Sequence, residues 1–205
     1  MHPEALSDKG KTILVPLKNF ADFYLGGGTA LALQIGHRIS VDFDLFSEKE
    51  IPESLLGEVE KVFSPKEIRP SVNNRGELTV FVDGIKVTFL KYPFPPLLEP
   101  VSYEGIKLLN IKEIAATKVY TIGRRGSYRD YVDLYFTFSE GHASLDETIE
   151  LAERKYGTEI NSRLFLEQLI YLGDIKDTEI LFLKKSASKE EIESFFHEEV
   201  RRFKL

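Results

Sequence analysis

The chain contains no cysteine, which excludes disulfides, thiolate metal sites and cysteine nucleophiles together and fits a reducing, cytoplasmic setting. It also lacks a basic excess: 27 Lys and Arg against 33 Asp and Glu give a formal charge of −6. No general nucleic-acid footprint is therefore expected on the surface, and any phosphate site must be local. No run of about 18 apolar residues occurs, and the opening MHPEALSDKGK has no basic cluster followed by an apolar stretch, so neither a membrane span nor a secretory signal is expected. Internal repeats and low-complexity tracts are absent too. What is present, 205 residues with 42% hydrophobic and 29% charged, is enough for a folded domain or two small ones.

The pattern changes along the chain. Up to about residue 105 it is mixed: an apolar run over 23–25, three glycines at 26–28, a short helix over 29–35 and an alternating strand over 41–46. Two alternating runs over 77–90 meet at Asp83-Gly84, a hairpin signal because both turn positions need positive φ. Tyr92-Pro-Phe-Pro-Pro96 removes backbone donors and is expected to end the sheet. From Asn110 the pattern is helical, with starts marked by Asn110 and Glu113, Ser144 and Glu147, and Ser188 and Glu191 in capping-box spacing. The expected class is α+β: a mixed-sheet lobe over 1–105 and a helical lobe over 106–205, with ligand binding favoured where two such lobes meet.

Two groups of residues carry chemistry. Gly26-Gly27-Gly28-Thr29 leads into a helix, where glycine admits close backbone approach and free N–H groups suit a phosphate, although a tight turn alone would also demand glycine. Asp42 and Asp44 alternate on a strand and share a face, with Val41, Phe43 and Leu45 opposite. Two carboxylates held together favour a hard cation such as Mg²⁺, the other reading being a solvated edge face. Arg38 would either hold a triphosphate oxygen or neutralise the two acids, whereas His37 is read as packed or solvated rather than as a ligand. In the helical half, Lys118 falls inside the apolar arc of Ile111, Ile114, Ala115, Val119 and Ile122, so its stem snorkels or its ammonium meets a carboxylate or phosphate. Arg125 would share that face. On the next helix, over 127–138, Arg129, Asp130, Asp133 and Thr137 form a polar strip; Asp130 suits the first turn, and Asp133 suits a surface pair with Arg129.

The segment GGGTALALQIGHRISVDFDLF, together with Lys118, Arg125 and the run Arg129-Asp130-Tyr131-Val132-Asp133-Leu134, resembles the two motif blocks of the AbiEii/AbiGii-type nucleotidyltransferases, enzymatic toxins of type IV toxin–antitoxin and abortive-infection systems. The resemblance implies a nucleotidyltransferase-fold lobe followed by a helical lobe, binding a nucleoside triphosphate and one or two Mg²⁺ ions. It implies that Gly27, Gly28 and Thr29 cradle the β- and γ-phosphates and that Asp42 and Asp44 hold metal. Lys118, Arg125, Arg129 and Asp130 would serve the nucleotide, and Asp133 or Asp130 would position an attacking group or base. The reaction implied is transfer of a nucleoside monophosphate to a tRNA or protein acceptor, with a cognate antitoxin as partner.

One departure is visible. Thr88 stands where the superfamily usually has a third acid, and Glu77, one diagonal step away on the same hairpin face, is the candidate substitute metal ligand. Two other readings follow: a nucleotide-binding protein with weak or no turnover, and a small-molecule nucleotidyltransferase of the aminoglycoside-modifying kind.

Overall fold

The strand signals of the first half close into one seven-stranded sheet in the computed structural model, which describes residues 1–203. Helix α1 (Asp8–Leu14) is capped by the Ser7 hydroxyl, which accepts from the Gly10 N–H. There follow β1 (Tyr24–Gly26), α2 (Gly27–Ile35), β2 (Phe43–Ser47), α3 (Leu55–Phe63), β3 (Ile68–Asn73), β4 (Glu77–Val82), β5 (Ile85–Lys91), β6 (Val101–Tyr103) and β7 (Ile106–Leu108). The strand order is β3-β4-β5-β2-β1-β7-β6. The β2–β5 and β1–β7 pairs are parallel and the others antiparallel, so the sheet is mixed.

The β4–β5 hairpin turns at Asp83 and Gly84, with φ of 48° and 83°, as the Asp-Gly signal predicts. The strand expected over 41–46 begins later, at Phe43. The Asp42 carbonyl accepts a hydrogen bond from the Thr29 hydroxyl, and Val41 is 43% exposed rather than facing the core. The sheet also does not end at the proline-rich segment: β6 and β7 lie beyond it, and β7 pairs with β1. Their turn, Glu104-Gly105, has φ of 51° and 79°, a positive-φ geometry that glutamate rarely adopts. Gly105 therefore sits within a hairpin of the first compact unit, which runs to Leu109; the second begins at Asn110.

The two faces of the sheet differ sharply. Leu78, Val80, Val82, Val87, Phe89, Phe43 and Leu45 are buried to 1% exposure or less and form the core face. Rings of Phe20 and Phe23 meet Phe89 edge-on at 4.9 and 5.1 Å. The alternate residues, among them Glu77, Thr79, Thr88, Asp44 and Phe46, lie on the other face because successive strand side chains point to opposite sides.

The second unit consists, among the described residues, of α4 (Ile111–Arg125), α5 (Tyr128–Ser139), α6 (Leu145–Tyr156), α7 (Ser162–Leu169) and α8 (Lys189–Arg202). Ser144 and Glu147 form a full capping box, and the Ser188 hydroxyl accepts from the Glu191 N–H. Asn110 caps α4 through the Lys112 N–H, but Glu113 does not complete a box. Its carboxylate is fully buried and takes the Lys155 ammonium of α6 at 2.5 Å. No described helix is long and apolar enough to cross a membrane.

Candidate active site

The glycine turn is shaped by the neighbouring strand. Gly27 opens α2 with φ of 63°, and a Cβ there would lie 2.9 Å from Asp44 Oδ2. The Asp44 carboxylate thus occupies the space a side chain at 27 would need. Gly26 faces a similar restriction: a Cβ on it would fall 2.6 Å from the Phe46 ring. Two residues of one β2 face therefore account for two of the three glycines. Helix α2 begins without a side-chain cap, so its leading N–H groups and the positive end of the helix dipole lie at the turn against which the carboxylate rests.

A row of paired positions crosses the sheet from this turn. Gly26 pairs with Asp44, Asp44 with Thr88, and Thr88 with Thr79. The Thr79 hydroxyl donates to Glu77 Oε1 at 2.6 Å and lies 3.3 Å from the Thr88 hydroxyl, from which it can accept. Glu77, the candidate substitute for a third acid, lies two strands from Asp44, about 10 Å at the usual strand spacing, and its carboxylate accepts from the Thr79 hydroxyl. Among the described residues no group of three or more His, Cys, Asp or Glu is arranged for a metal. What the turn offers is the Asp44 carboxylate, and the half-exposed Asp42 is tied to α2 through its carbonyl.

Residues between these elements hold the Asp42 segment in place. Thr29 is 2% exposed; its hydroxyl donates to the Asp42 carbonyl and lies 2.7 Å from Ser40 Oγ. The Ser40 N–H in turn donates to Ala5 O. The Thr29 hydroxyl is thus engaged within the protein, and Arg38, 4% exposed, donates from Nη1 to the Ile39 carbonyl. Ser40 was not legible as a site residue, since nothing in its spacing marks it as the partner of Thr29. Thr29→Val is expected to unfasten the Asp42 segment and destabilise the fold by about 1–3 kcal/mol through orphaned buried polar groups. Denaturant titration would read this as a lower midpoint; an unchanged midpoint contradicts it.

In the second unit the polar strip of α5 turns inward. Lys118 Nζ lies 2.6 Å from Asp130 Oδ1 and 2.7 Å from Asp133 Oδ2, and the Asp133 side chain is fully buried. Asp130 Oδ2 accepts from the N–H and hydroxyl of Ser127, at 3.0 and 2.8 Å, in a capping box. Burial alone would depress the Lys118 ammonium, but Asp133 and then Asp130 outweigh it and hold it above the usual lysine value. Burial, with Asp130 secondary, pushes the Tyr131 phenol up to about 12. Lys118 thus meets carboxylates, one of the outcomes its place in the apolar arc allowed, and Asp133 is its buried counter-ion rather than an exposed partner of Arg129. Arg125 is exposed and Arg129 half-buried.

A mixed sheet whose first strand runs through a glycine turn into a helix, with the Asp44 strand beside it, is shared with solved nucleotidyltransferases. MenT4, a nucleotidyltransferase toxin from Mycobacterium tuberculosis H37Rv, shares it with a TM-score of 0.67 at 16% identity, over 96% of this chain and 83% of that one. JHP933 from Helicobacter pylori matches with a TM-score of 0.56 at 19% identity, over 96% and 95%. The chain belongs to the nucleotidyl transferase AbiEii toxin family of type IV toxin–antitoxin systems, whose profile matches residues 13–203. A protein of Aquifex aeolicus (strain VF5), described as uncharacterized, is 33% identical over 184 residues, 89% of this chain and 88% of its own length. Membership makes the protein an enzyme of the nucleotidyltransferase class.

Proposed function

We propose that the protein transfers a nucleoside monophosphate from a nucleoside triphosphate to a hydroxyl of an acceptor, tRNA or protein, with Mg²⁺. The observation that carries this is the Asp44 carboxylate seated against Gly27 at the uncapped start of α2. The donor set fits the ion: two half-exposed carboxylates supply hard oxygen ligands, and Mg²⁺ ordinarily keeps waters and substrate phosphate oxygens in its remaining positions. Bound there, the ion would neutralise charge on the phosphate oxygens. The backbone of Gly27 and Gly28, at the positive end of α2, receives the β- and γ-phosphates. Thr29 and Arg38 act one step back by holding the main chain that carries Asp42. Arg125 and Arg129 are the helical unit's candidate phosphate contacts, while Lys118, Asp130 and Asp133 fix α5 on α4. In the reaction an acceptor oxygen bonds to the α-phosphorus, the bond to the β-phosphate oxygen breaks, pyrophosphate leaves and the acceptor proton passes to solvent. Expression beside an antitoxin follows from the toxin family.

Incubation with α-labelled triphosphates, Mg²⁺ and either total tRNA or protein extract is expected to label one acceptor fraction, and Asp42→Ala to abolish the label. Label that is absent, or independent of Asp42, overturns the reading. Thr88, paired in register with Asp44, favours a second reading of nucleotide binding without turnover. Calorimetric binding with no pyrophosphate release would support that reading, and Mg²⁺-dependent release would remove it.

A further inference from the structure

A groove lies wholly within the helical unit, where the end of α4 meets the Gly157–Glu159 turn and α7. The rings of Tyr120 and Tyr156 stack at 4.5 Å with 26° between planes, and the Arg124 guanidinium lies 3.7 Å over the Tyr120 ring. Arg124 Nη2 also donates to the Glu159 carbonyl at 2.8 Å and to its carboxylate at 3.1 Å. The guanidinium is therefore fixed in plane, and the side-chain entropy an arginine normally loses on binding has already been lost on folding. Its side chain is still 41% exposed, and it lines a groove of about 250 Å³.

The rest of the groove is suited to a flat ring. Gly123 lines it from the last turn of α4. Packing does not require glycine there, since a Cβ would meet nothing closer than Gln168 Oε1 at 3.9 Å. Ile160, Leu164 and Phe165 supply an apolar wall, with Leu164 44% exposed. Asn161 also lines the groove; its Oδ1 is taken by the Leu164 N–H at 3.0 Å, which leaves its amide NH₂ as a donor for a ring edge. Glu159 offsets the charge of Arg124, so the groove does not select for phosphate. An apolar face, polar edges and near-neutral charge describe a nucleobase, and guanidinium planes stack unpaired bases.

We propose that this groove binds a single nucleobase stacked on Arg124, supplied by a free nucleotide or by the unpaired end of an RNA. The proposal uses none of the residues assigned to phosphate or metal, so it stands or falls apart from the catalytic reading. The test titrates the full chain, in EDTA, into 2-aminopurine riboside monophosphate and into a short single-stranded oligoribonucleotide carrying one 2-aminopurine. Saturable quenching is expected with at least one probe. Quenching by the monophosphate identifies a free-nucleotide site, and quenching by the oligonucleotide alone identifies an RNA end. Arg124→Ala and the charge-preserving Arg124→Lys are each expected to weaken binding by about tenfold or more, with helix content and melting temperature kept. Gly123→Leu, which fills the groove, is the second variant should either arginine change unfold the unit. No saturable quenching, wild-type affinity in the folded variants, or equal competition by an abasic oligonucleotide overturns the proposal.

Discussion

Asp44→Asn is expected to leave the fold and its stability nearly unchanged while lowering nucleotidyl transfer by about 10²–10³-fold, on the order of 3–4 kcal/mol of transition-state stabilisation. The side chain is half-exposed on β2, and asparagine has the same shape, so the Gly26, Thr88 and core contacts of the strand are kept. What is removed is a negative charge placed where a divalent cation and the β- and γ-phosphates would converge. Single-turnover pyrophosphate release, measured with triphosphate saturating, separates this from weaker substrate binding. Gly27→Ala should do the opposite kind of damage. A Cβ at φ of 63° and 2.9 Å from Asp44 Oδ2 displaces the carboxylate without altering its charge, and the left-handed backbone adds about 1–2 kcal/mol of destabilisation. Activity in Asp44→Asn within threefold of wild type would dissociate the glycine turn and its carboxylate from the chemistry.

Local rules make this turn legible in the sequence. Strand alternation put Asp44 on one face and Phe43 and Leu45 on the other, and positive φ at Asp83-Gly84 set the register that pairs Thr79 with Thr88. Cap residues marked the starts of the helices at Asn110, Ser144 and Ser188. The misread ion pairs share a cause, in that each depended on a partner distant in sequence. Glu113 fitted a cap three residues on, but a lysine 42 positions later claims it in the helical core. Asp133 had Arg129 one helical turn away, yet the inward turn of α5 delivers it to Lys118. Strands β6 and β7 were hidden because their turn uses Glu104, a residue with no preference for positive φ. Spacing names neighbours along an element, whereas burial decides which of them an ionised group meets.

Lys118→Met is expected to destabilise the helical unit by about 3–5 kcal/mol, because it leaves Asp130 and Asp133 buried without their cation. At roughly 2–4 °C per kcal/mol, the melting temperature should fall on the order of 10 °C. Most of that cost is the unpaired acids, not the lost attraction. Lys118→Met combined with Asp133→Asn should therefore recover part of it, and a double-mutant cycle would measure the coupling. The pH dependence has a definite sign. A folded-state ammonium held above its ordinary value contributes stability fully below about pH 10.4, the unfolded lysine value, and loses it as pH rises through the raised folded value. Tyr131, pushed up to about 12, acts in the same alkaline window, since its phenol ionises more readily once unfolded. Measured in a Tyr131→Phe background, wild-type Lys118 should give a stability that declines above about pH 10.4, and Lys118→Met a flatter profile. Equal slopes, or a melting temperature unmoved by Lys118→Met, would mean that the ammonium between Asp130 and Asp133 does not hold α5 against α4.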